Sequence, residues 1–173
     1  MRNTMKMAAV ALAFLALIPT TATAQNIYAP HPGTVPALTY SASGSFHGAV
    51  DISSGRCNYW GVESPIRGSI FWNVTINTTG IVCYGSGSGN QNEAKHNFAD
   101  GWTFRIWHFI KTANSYDRTC DRCLLGNEGA TGNVTGPVTH FHYDHLGTKD
   151  TSWYSGYTVE GETIDFGELV GVL

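Results

Sequence analysis

Charged residues are scarce in this chain of 173 residues: they make up 13% of it, about half the share of an ordinary globular protein. No basic stretch occurs, and the formal net charge is -3. The composition therefore does not match a disordered tail, a charged coiled coil or a nucleic-acid-binding surface. The length and the 42% apolar content fit one globular domain.

Long apolar runs are absent except at the N-terminus. That run extends from Met7 to Ile18, follows Arg2 and Lys6, and precedes the small residues Ala22–Ala24. This order is typical of a secretory signal peptide, and 12 apolar residues are too few to span a bilayer. We predict a signal peptide over residues 1–24, no membrane span, and a protein that is secreted or periplasmic.

Cysteine is sparse, with 4 residues that all follow the leader. In an oxidising compartment an even number of cysteines usually means disulfides, and we favour Cys57–Cys83 and Cys120–Cys123 among the possible pairings. The spacing of Cys120 and Cys123 also occurs in thioredoxin-like oxidoreductases, but no βαβ pattern surrounds it. A zinc site of four cysteines would need a second close pair, which the sequence does not supply.

Helical periodicity is also lacking. Short runs rich in β-branched and aromatic residues alternate with glycine, asparagine and serine, which predicts an all-β fold of antiparallel sheets. A helical turn could form only at Asn92–Ala99, and Tyr84–Asn92 is predicted as a long surface loop. The predicted strands are Ile66–Ile76, Trp102–Ile110, Val138–Tyr143, Tyr157–Val159 and Thr163–Phe166.

Two segments follow the leader. Residues 25–43 contain three prolines and few aliphatic residues, so we expect an extended lead-in there. Residues 44–173 are predicted to form a single compact domain.

Histidine, by contrast, is plentiful, with 7 residues. On a strand, His47 and Asp51 would point to the same face, and an imidazole beside a carboxylate suits a divalent ion, zinc above all. The alternative is a strand that is polar on its solvent face. His140 and His142 would also share a face. Since a catalytic zinc keeps three protein ligands and an open position for water, only one of these two is needed as a ligand.

The other histidines have simpler interpretations. His108 lies in a run that is apolar on both faces, so its neighbours alone favour a buried, hydrogen-bonded core histidine. His31, His96 and His145 have no partner at metal spacing, and we expect them at the surface. The motif His-Glu-x-x-His of common metalloproteases does not occur, so proton transfer would need another group.

The motifs resemble, in order and separation, those of the lysostaphin-like, LytM-type zinc endopeptidases, which include the β-lytic metallopeptidases. That family shows His-x-x-x-Asp, then a lone histidine ending an aromatic strand, then a glycine-rich turn that runs into His-x-His. The corresponding residues here are His47 and Asp51, His108 after Trp107, and the turn 132–137 followed by His140 and His142. One departure is that Val138 and Thr139 separate Gly136-Pro137 from the histidine pair, whereas in the family the pair follows directly.

The resemblance implies that His47, Asp51 and His142 bind one zinc ion, and that His108 and His140 are the catalytic histidines. It also implies an antiparallel β domain, an open barrel or sandwich with a groove. The expected activity is hydrolysis of peptide bonds by zinc-activated water, in bacterial peptidoglycan cross-links or glycine-rich peptides, by a monomeric enzyme. The alternative is a non-catalytic cell-wall-binding or scaffold domain of the same fold.

Overall fold

The computed structural model describes residues 24–41, 43–111 and 116–173. Within these ranges the chain consists of strands, turns and one 3-10 turn at Ala99–Gly101, so the predicted all-β fold class is confirmed. The strands are β1 (Asn26–Tyr28), β2 (Gly33–Thr34), β3 (Val50–Ile52), β4 (Gly61–Glu63), β5 (Ile70–Thr75), β6 (Glu93–Asn97), β7 (Trp102–Trp107), β8 (Tyr116–Cys120), β9 (Leu124–Asn127), β10 (Thr139–His145), β11 (Thr148–Asp150), β12 (Thr163–Ile164) and β13 (Leu169–Val172).

The predicted signal peptide lies, except for Ala24, outside the described residues. In the part of the chain that the structure describes, no helix has the length and apolar character needed to cross a membrane.

Seven strands form the main sheet, in which every pairing is antiparallel. The path runs β11-β10-β7-β6-β5-β8, and β3 pairs with the first half of β10 on the side where β11 pairs with the second half. Because β8 and β11 stand at opposite ends of this path and do not pair, the sheet is open rather than a closed barrel.

The register gives the sheet two different faces. One row of directly opposed residues is wholly apolar and buried: Val50, Phe141, Ile106, Ala94 and Val74. Since successive side chains on a strand alternate between faces, the neighbouring row lies on the other side. That second row is mostly polar and contains Asp51, His140, Trp107 and Glu93. The apolar row belongs to the core, and the polar row forms the face where the site is built.

The described residues also form three two-stranded sheets, and two of these join the ends of the described chain. β1 pairs with β13 and β2 pairs with β12, while β4 pairs with β9. The segment 25–43 therefore contributes two strands, and it also contributes the fully buried Ile27 and Val35 to the core.

Two local predictions fail. Asn92–Ala99 contains strand β6 rather than a helical turn, because Glu93–Asn97 pairs with both β5 and β7. Tyr157–Val159 is not a strand: the amides of Tyr157 and Thr158 both donate to the carbonyl of Tyr154, which closes a turn. The loop predicted at Tyr84–Asn92 is confirmed, since no strand or helix forms there.

Both predicted disulfides are formed. Cys57 is bonded to Cys83 with a Cα–Cα distance of 5.4 Å, and Cys120 to Cys123 with one of 5.7 Å. The first links the segment before β4 to the loop after β5, and the second spans the turn between β8 and β9.

Candidate metal centre

His47 and Asp51 meet on the polar face of the main sheet, as their spacing predicts, but by a different route. Asp51 lies on β3, whereas His47 precedes that strand. Between them Gly48 adopts φ 56°, a left-handed conformation that glycine enters without a side-chain penalty. The turn brings His47 Nε2 to 3.2 Å from Asp51 Oδ1.

His140 is the third member of the cluster. It stands directly opposite Asp51 in the pairing of β10 with β3. Its Nδ1 lies 2.8 Å from Asp51 Oδ1 and 3.1 Å from His47 Nε2. The donor atoms of a tetrahedral zinc site, each 2.0–2.2 Å from the ion, are roughly 3.3 Å apart. The three atoms thus form a triangle of nearly this size, and they could hold a metal ion.

The hydrogen bond at the far side of the His47 ring determines which ring nitrogen carries a lone pair towards the cluster. His47 Nδ1 lies 2.9 Å from the carbonyl oxygen of Leu38. Because a carbonyl only accepts, Nδ1 donates, and in the neutral ring Nε2 carries the lone pair that a metal ion requires. A backbone carbonyl bound in this way is a common support for a metal-binding histidine.

The electrostatics of the cluster favour an ionised Asp51 beside a neutral His140. Burial by itself would raise the pKa of Asp51, but hydrogen bonds from His140 and His47 outweigh it and hold that pKa far below its usual range. Burial lowers the pKa of His140 to about 3. For His47 burial acts in the same direction, but the hydrogen bond to Asp51 overcomes it and raises the pKa.

His142, the expected third ligand, occupies a different position. Its Nδ1 lies 3.0 Å from Nε2 of His140, and its own Nε2 lies 3.5 Å from Asp144 Oδ2. It therefore contacts the cluster through His140. The ligand assignment of His142 and the catalytic assignment of His140 remain sequence predictions.

The position of the Gly-Pro pair could have signalled this arrangement. In the family pattern His-x-His follows the proline directly, so the second histidine comes three residues after it. Counting three residues from Pro137 reaches His140, and Val138 then takes the place of the first histidine.

His108 is both a buried, hydrogen-bonded histidine and a neighbour of the cluster. It lies just after β7, is 7% exposed, and its ring centroid is 5.6 Å from that of His140. Its Nδ1 donates to the carbonyl of Thr131 at 2.6 Å, so the lone pair of the neutral ring is on Nε2. Burial lowers the pKa of His108. Its φ of 76° is rare outside glycine, and such strained residues concentrate at functional sites.

Sequence reasoning did not find the neighbours that surround the histidines. Trp107 stacks on the ring of His140 with centroids 4.9 Å apart and an angle of 10° between the planes. Its indole nitrogen donates to Glu93, whose carboxylate also pairs with Arg105. Alternation along β7 places Arg105 and Trp107 on one face, but only the strand register shows that this face is the one carrying His140.

Asp144 and Lys149 complete the surroundings. Arg105 donates to Asp144 at 2.8 Å. Burial would raise the pKa of Asp144, but the hydrogen bonds from His142 and Arg105 lower it overall. Lys149 donates from Nζ to the backbone carbonyl of His47, and burial lowers its pKa.

The three remaining histidines do not join the cluster. The surface prediction is wrong for His31, which is fully buried and bonded through Nε2 to the Thr139 hydroxyl at 2.8 Å. This contact crosses 108 positions of sequence, so no local spacing predicts it. His145 is exposed and His96 is half-buried.

Comparison with solved structures gives distant structural likenesses, of which one is described here. No family model matches the chain, and no curated protein matches it either. Among solved structures it is similar to a zinc-containing peptidase from Vibrio cholerae, with 19% sequence identity and a TM-score of 0.36. The match covers 73% of this chain and 39% of that one, so the chain spans about two fifths of the length of the Vibrio protein.

Proposed function

We propose that this protein is a secreted zinc-dependent endopeptidase, in which His47, Asp51 and His140 bind one zinc ion. The observation that carries the proposal is the triangle of His47 Nε2, Asp51 Oδ1 and His140 Nδ1, with sides of 2.8, 3.1 and 3.2 Å. Two imidazoles and one carboxylate are the donor set of several hydrolytic zinc sites, which leave one position open for water.

Zinc in this site would lower the pKa of a bound water towards about 7 and polarise a peptide carbonyl. The chain must then move protons, because the departing amine needs one and the attacking water must lose one. His108 fits this task. Thr131 holds its Nδ1 proton, burial keeps the ring neutral, and Nε2 is left as the basic atom beside the cluster.

The role proposed for His142 is to orient His140. If His140 binds metal through Nδ1, its Nε2 carries the proton and donates to His142 Nδ1. His142 in turn presents its Nε2 proton to Asp144, whose carboxylate is held by Arg105. Such outer hydrogen bonds fix the tautomer and the plane of a ligand ring. His140 thereby takes the ligand role that the family resemblance gives to His142, and His142 becomes a positioning residue.

The substrate class is proposed to be peptide bonds of bacterial peptidoglycan cross-links or of glycine-rich peptides. The resemblance of the sequence motifs to LytM-type endopeptidases supports this class. The two disulfides agree with a protein that works outside the cytoplasm.

The test is cleavage of pentaglycine and of purified bacterial cell walls, followed by mass spectrometry of the released fragments. We expect cleavage by the zinc-loaded protein, loss of cleavage after chelation, and recovery when zinc is added. Asp51→Asn should abolish cleavage, whereas substitution of the exposed His145 by alanine should leave it unchanged. Cell-wall binding without any release of fragments, in protein that carries its zinc, would instead favour the non-catalytic domain.

A further inference from the structure

Lys149 places a positive charge beside the candidate metal centre. It lies on β11 directly opposite Asp144, so both side chains are on the face of the sheet that carries His140. Its Nζ donates to the backbone carbonyl of His47 at 2.5 Å and lies 5.9 Å from the centre of the Trp107 ring. The contact with His47 spans 102 positions of sequence, so the ammonium group is brought to the site by the tertiary fold.

This ammonium group has no carboxylate partner among the described residues. The carboxylate of Asp51 is shared by His47 and His140, and that of Asp144 is paired with Arg105. An ammonium has three N–H donors, and the hydrogen bonds within the described residues use one of them, for the carbonyl of His47. The charges of Asp51 and Asp144 stabilise this half-buried cation from beyond ion-pair distance, but they offset the cost of its burial only in part.

The charge of the whole site points to the missing partner. Asp51, Asp144 and Glu93 are the anionic groups around the site. The dication with Lys149 and Arg105 exceeds them, so the loaded site carries a net positive charge. Such a site attracts anions and is complementary to them. A carboxylate is the anion that a peptide carries, and an ammonium binds it through a charge-assisted hydrogen bond.

We propose that Lys149 binds a carboxylate of the substrate, so that the enzyme acts on peptides with a negative charge close to the scissile bond. This inference rests on the proposed peptidase function and deepens it. The carboxylate is either the free C-terminal group or an acidic side chain.

The first test compares cleavage of matched peptides. Pentaglycine and pentaglycinamide differ only in the terminal charge, and a second pair exchanges one internal residue between glutamate and glutamine. A hydrogen bond to a charged group contributes about 1.5–3 kcal/mol, which is roughly a tenfold to hundredfold preference in kcat/KM for the charged member of one pair. The pair that shows the preference identifies the source of the carboxylate. In Lys149→Met the preference should disappear, and in Lys149→Arg it should largely remain.

The second test measures binding without turnover. Calorimetry of triglycine and triglycinamide with the zinc-loaded protein should show tighter binding of the acid in the wild type and equal binding in Lys149→Met. If the side-chain pair alone shows the kinetic preference, the same titration is made with the matching short glutamate and glutamine peptides. Lys111→Met, which removes a cation that lies over the Tyr116 ring, serves as the matched control and should keep the preference.

The outcomes separate the two proposals. If no peptide is cleaved although zinc is bound, the peptidase function fails, and the binding experiment still decides the role of Lys149. If cleavage is normal but charged and neutral peptides behave alike, the role of Lys149 is overturned and the peptidase stands. If Lys149→Met reduces cleavage of both members of each pair equally, the lysine acts on something other than a substrate carboxylate, and the proposal is also overturned. In each case, a zinc content of Lys149→Met equal to that of the wild type shows that this variant keeps the metal centre intact.

Discussion

His140 and Asp51 face each other across two paired strands, with His140 Nδ1 2.8 Å from Asp51 Oδ1. Eighty-nine positions of sequence separate them, so the contact exists only because β3 pairs with the first half of β10. His47 closes the triangle from a turn whose geometry depends on Gly48. The proposed function depends on these three side chains and on the strand register that joins them.

Replacing a ligand should empty the site. We expect Asp51→Asn and His140→Ala to lose stoichiometric zinc, because two remaining donors cannot complete the coordination of the ion. Elemental analysis of the dialysed protein measures this directly. His145→Ala, on the exposed end of β10, is the control and should retain the zinc of the wild type.

Replacing His142 should have a milder effect. As a partner of His140 it orients a ligand ring, and loss of such a partner typically weakens metal affinity by about 10-fold to 100-fold. His142→Ala should therefore still bind one zinc ion at saturating metal, with a raised dissociation constant in a competition titration. Complete loss of zinc in this variant, with retention in His140→Ala, would restore His142 as the ligand.

His108→Ala should separate chemistry from metal binding. Loss of a general acid or base costs about 100-fold to 10,000-fold in rate, so kcat should fall by at least 100-fold while zinc content stays constant. The measurement is single-turnover cleavage of pentaglycine alongside elemental analysis. Wild-type turnover in this variant would remove His108 from the mechanism.

The metal-free protein should lose stability as the pH falls. Burial lowers the pKa of His31 and lowers that of His140 to about 3, whereas in the unfolded chain a histidine titrates near 6.5. Between these values the unfolded state binds more protons, so the free energy of unfolding falls as the pH drops below about 6.5, by up to roughly 1.4 kcal/mol per pH unit for each histidine. The raised pKa of His47 gives the opposite dependence, but only above about pH 6.5, where its contribution is lost as the pH rises. Burial also lowers the pKa of His108 and of His142, so four rings act against one.

Urea denaturation of the chelated protein at pH 8 and pH 5 tests this expectation. His31→Gln should reduce the difference in unfolding free energy between pH 8 and pH 5. A substitution at the exposed His145 should leave that difference unchanged. Equal or higher stability at pH 5 would show that these rings are not held neutral in the folded state.

The two disulfides should differ in their effect on stability. Cys57–Cys83 closes a loop with a sequence separation of 26, and Cys120–Cys123 one of 3. From loop-closure entropy, serine substitution of the first pair should cost about 3–4 kcal/mol and that of the second about half as much. Thermal unfolding of the two double variants gives the comparison. A larger loss from the Cys120/Cys123 variant would contradict the entropic explanation.

Much of the fold follows from local patterns, whereas the site depends on register. Runs rich in β-branched and aromatic residues predict the strands around Phe104, Ile106 and Phe141, because these side chains cover the buried face of the main sheet. The spacing of His47 and Asp51 predicts their meeting. It does not show which of His140 and His142 faces Asp51, because both lie on the same side of β10 and only the pairing with β3 distinguishes them.

The same limit explains what the sequence does not reveal at all. Lys149 lies in a short polar hairpin with no motif around it, and its nearness to His47 comes from the pairing of β11 with β10. His31 lies in a proline-rich segment that resembles a surface lead-in, yet its ring is buried against Thr139. Contacts of this kind depend on where distant strands pack rather than on any local pattern.

A crystal structure of the zinc-soaked protein, with anomalous data collected at the zinc edge, tests the central claim most directly. We predict a single peak about 2.0–2.2 Å from His47 Nε2, Asp51 Oδ1 and His140 Nδ1, with His142 hydrogen-bonded behind His140. A peak bound by His142 in place of His140, or no peak between His47 and Asp51, would contradict it.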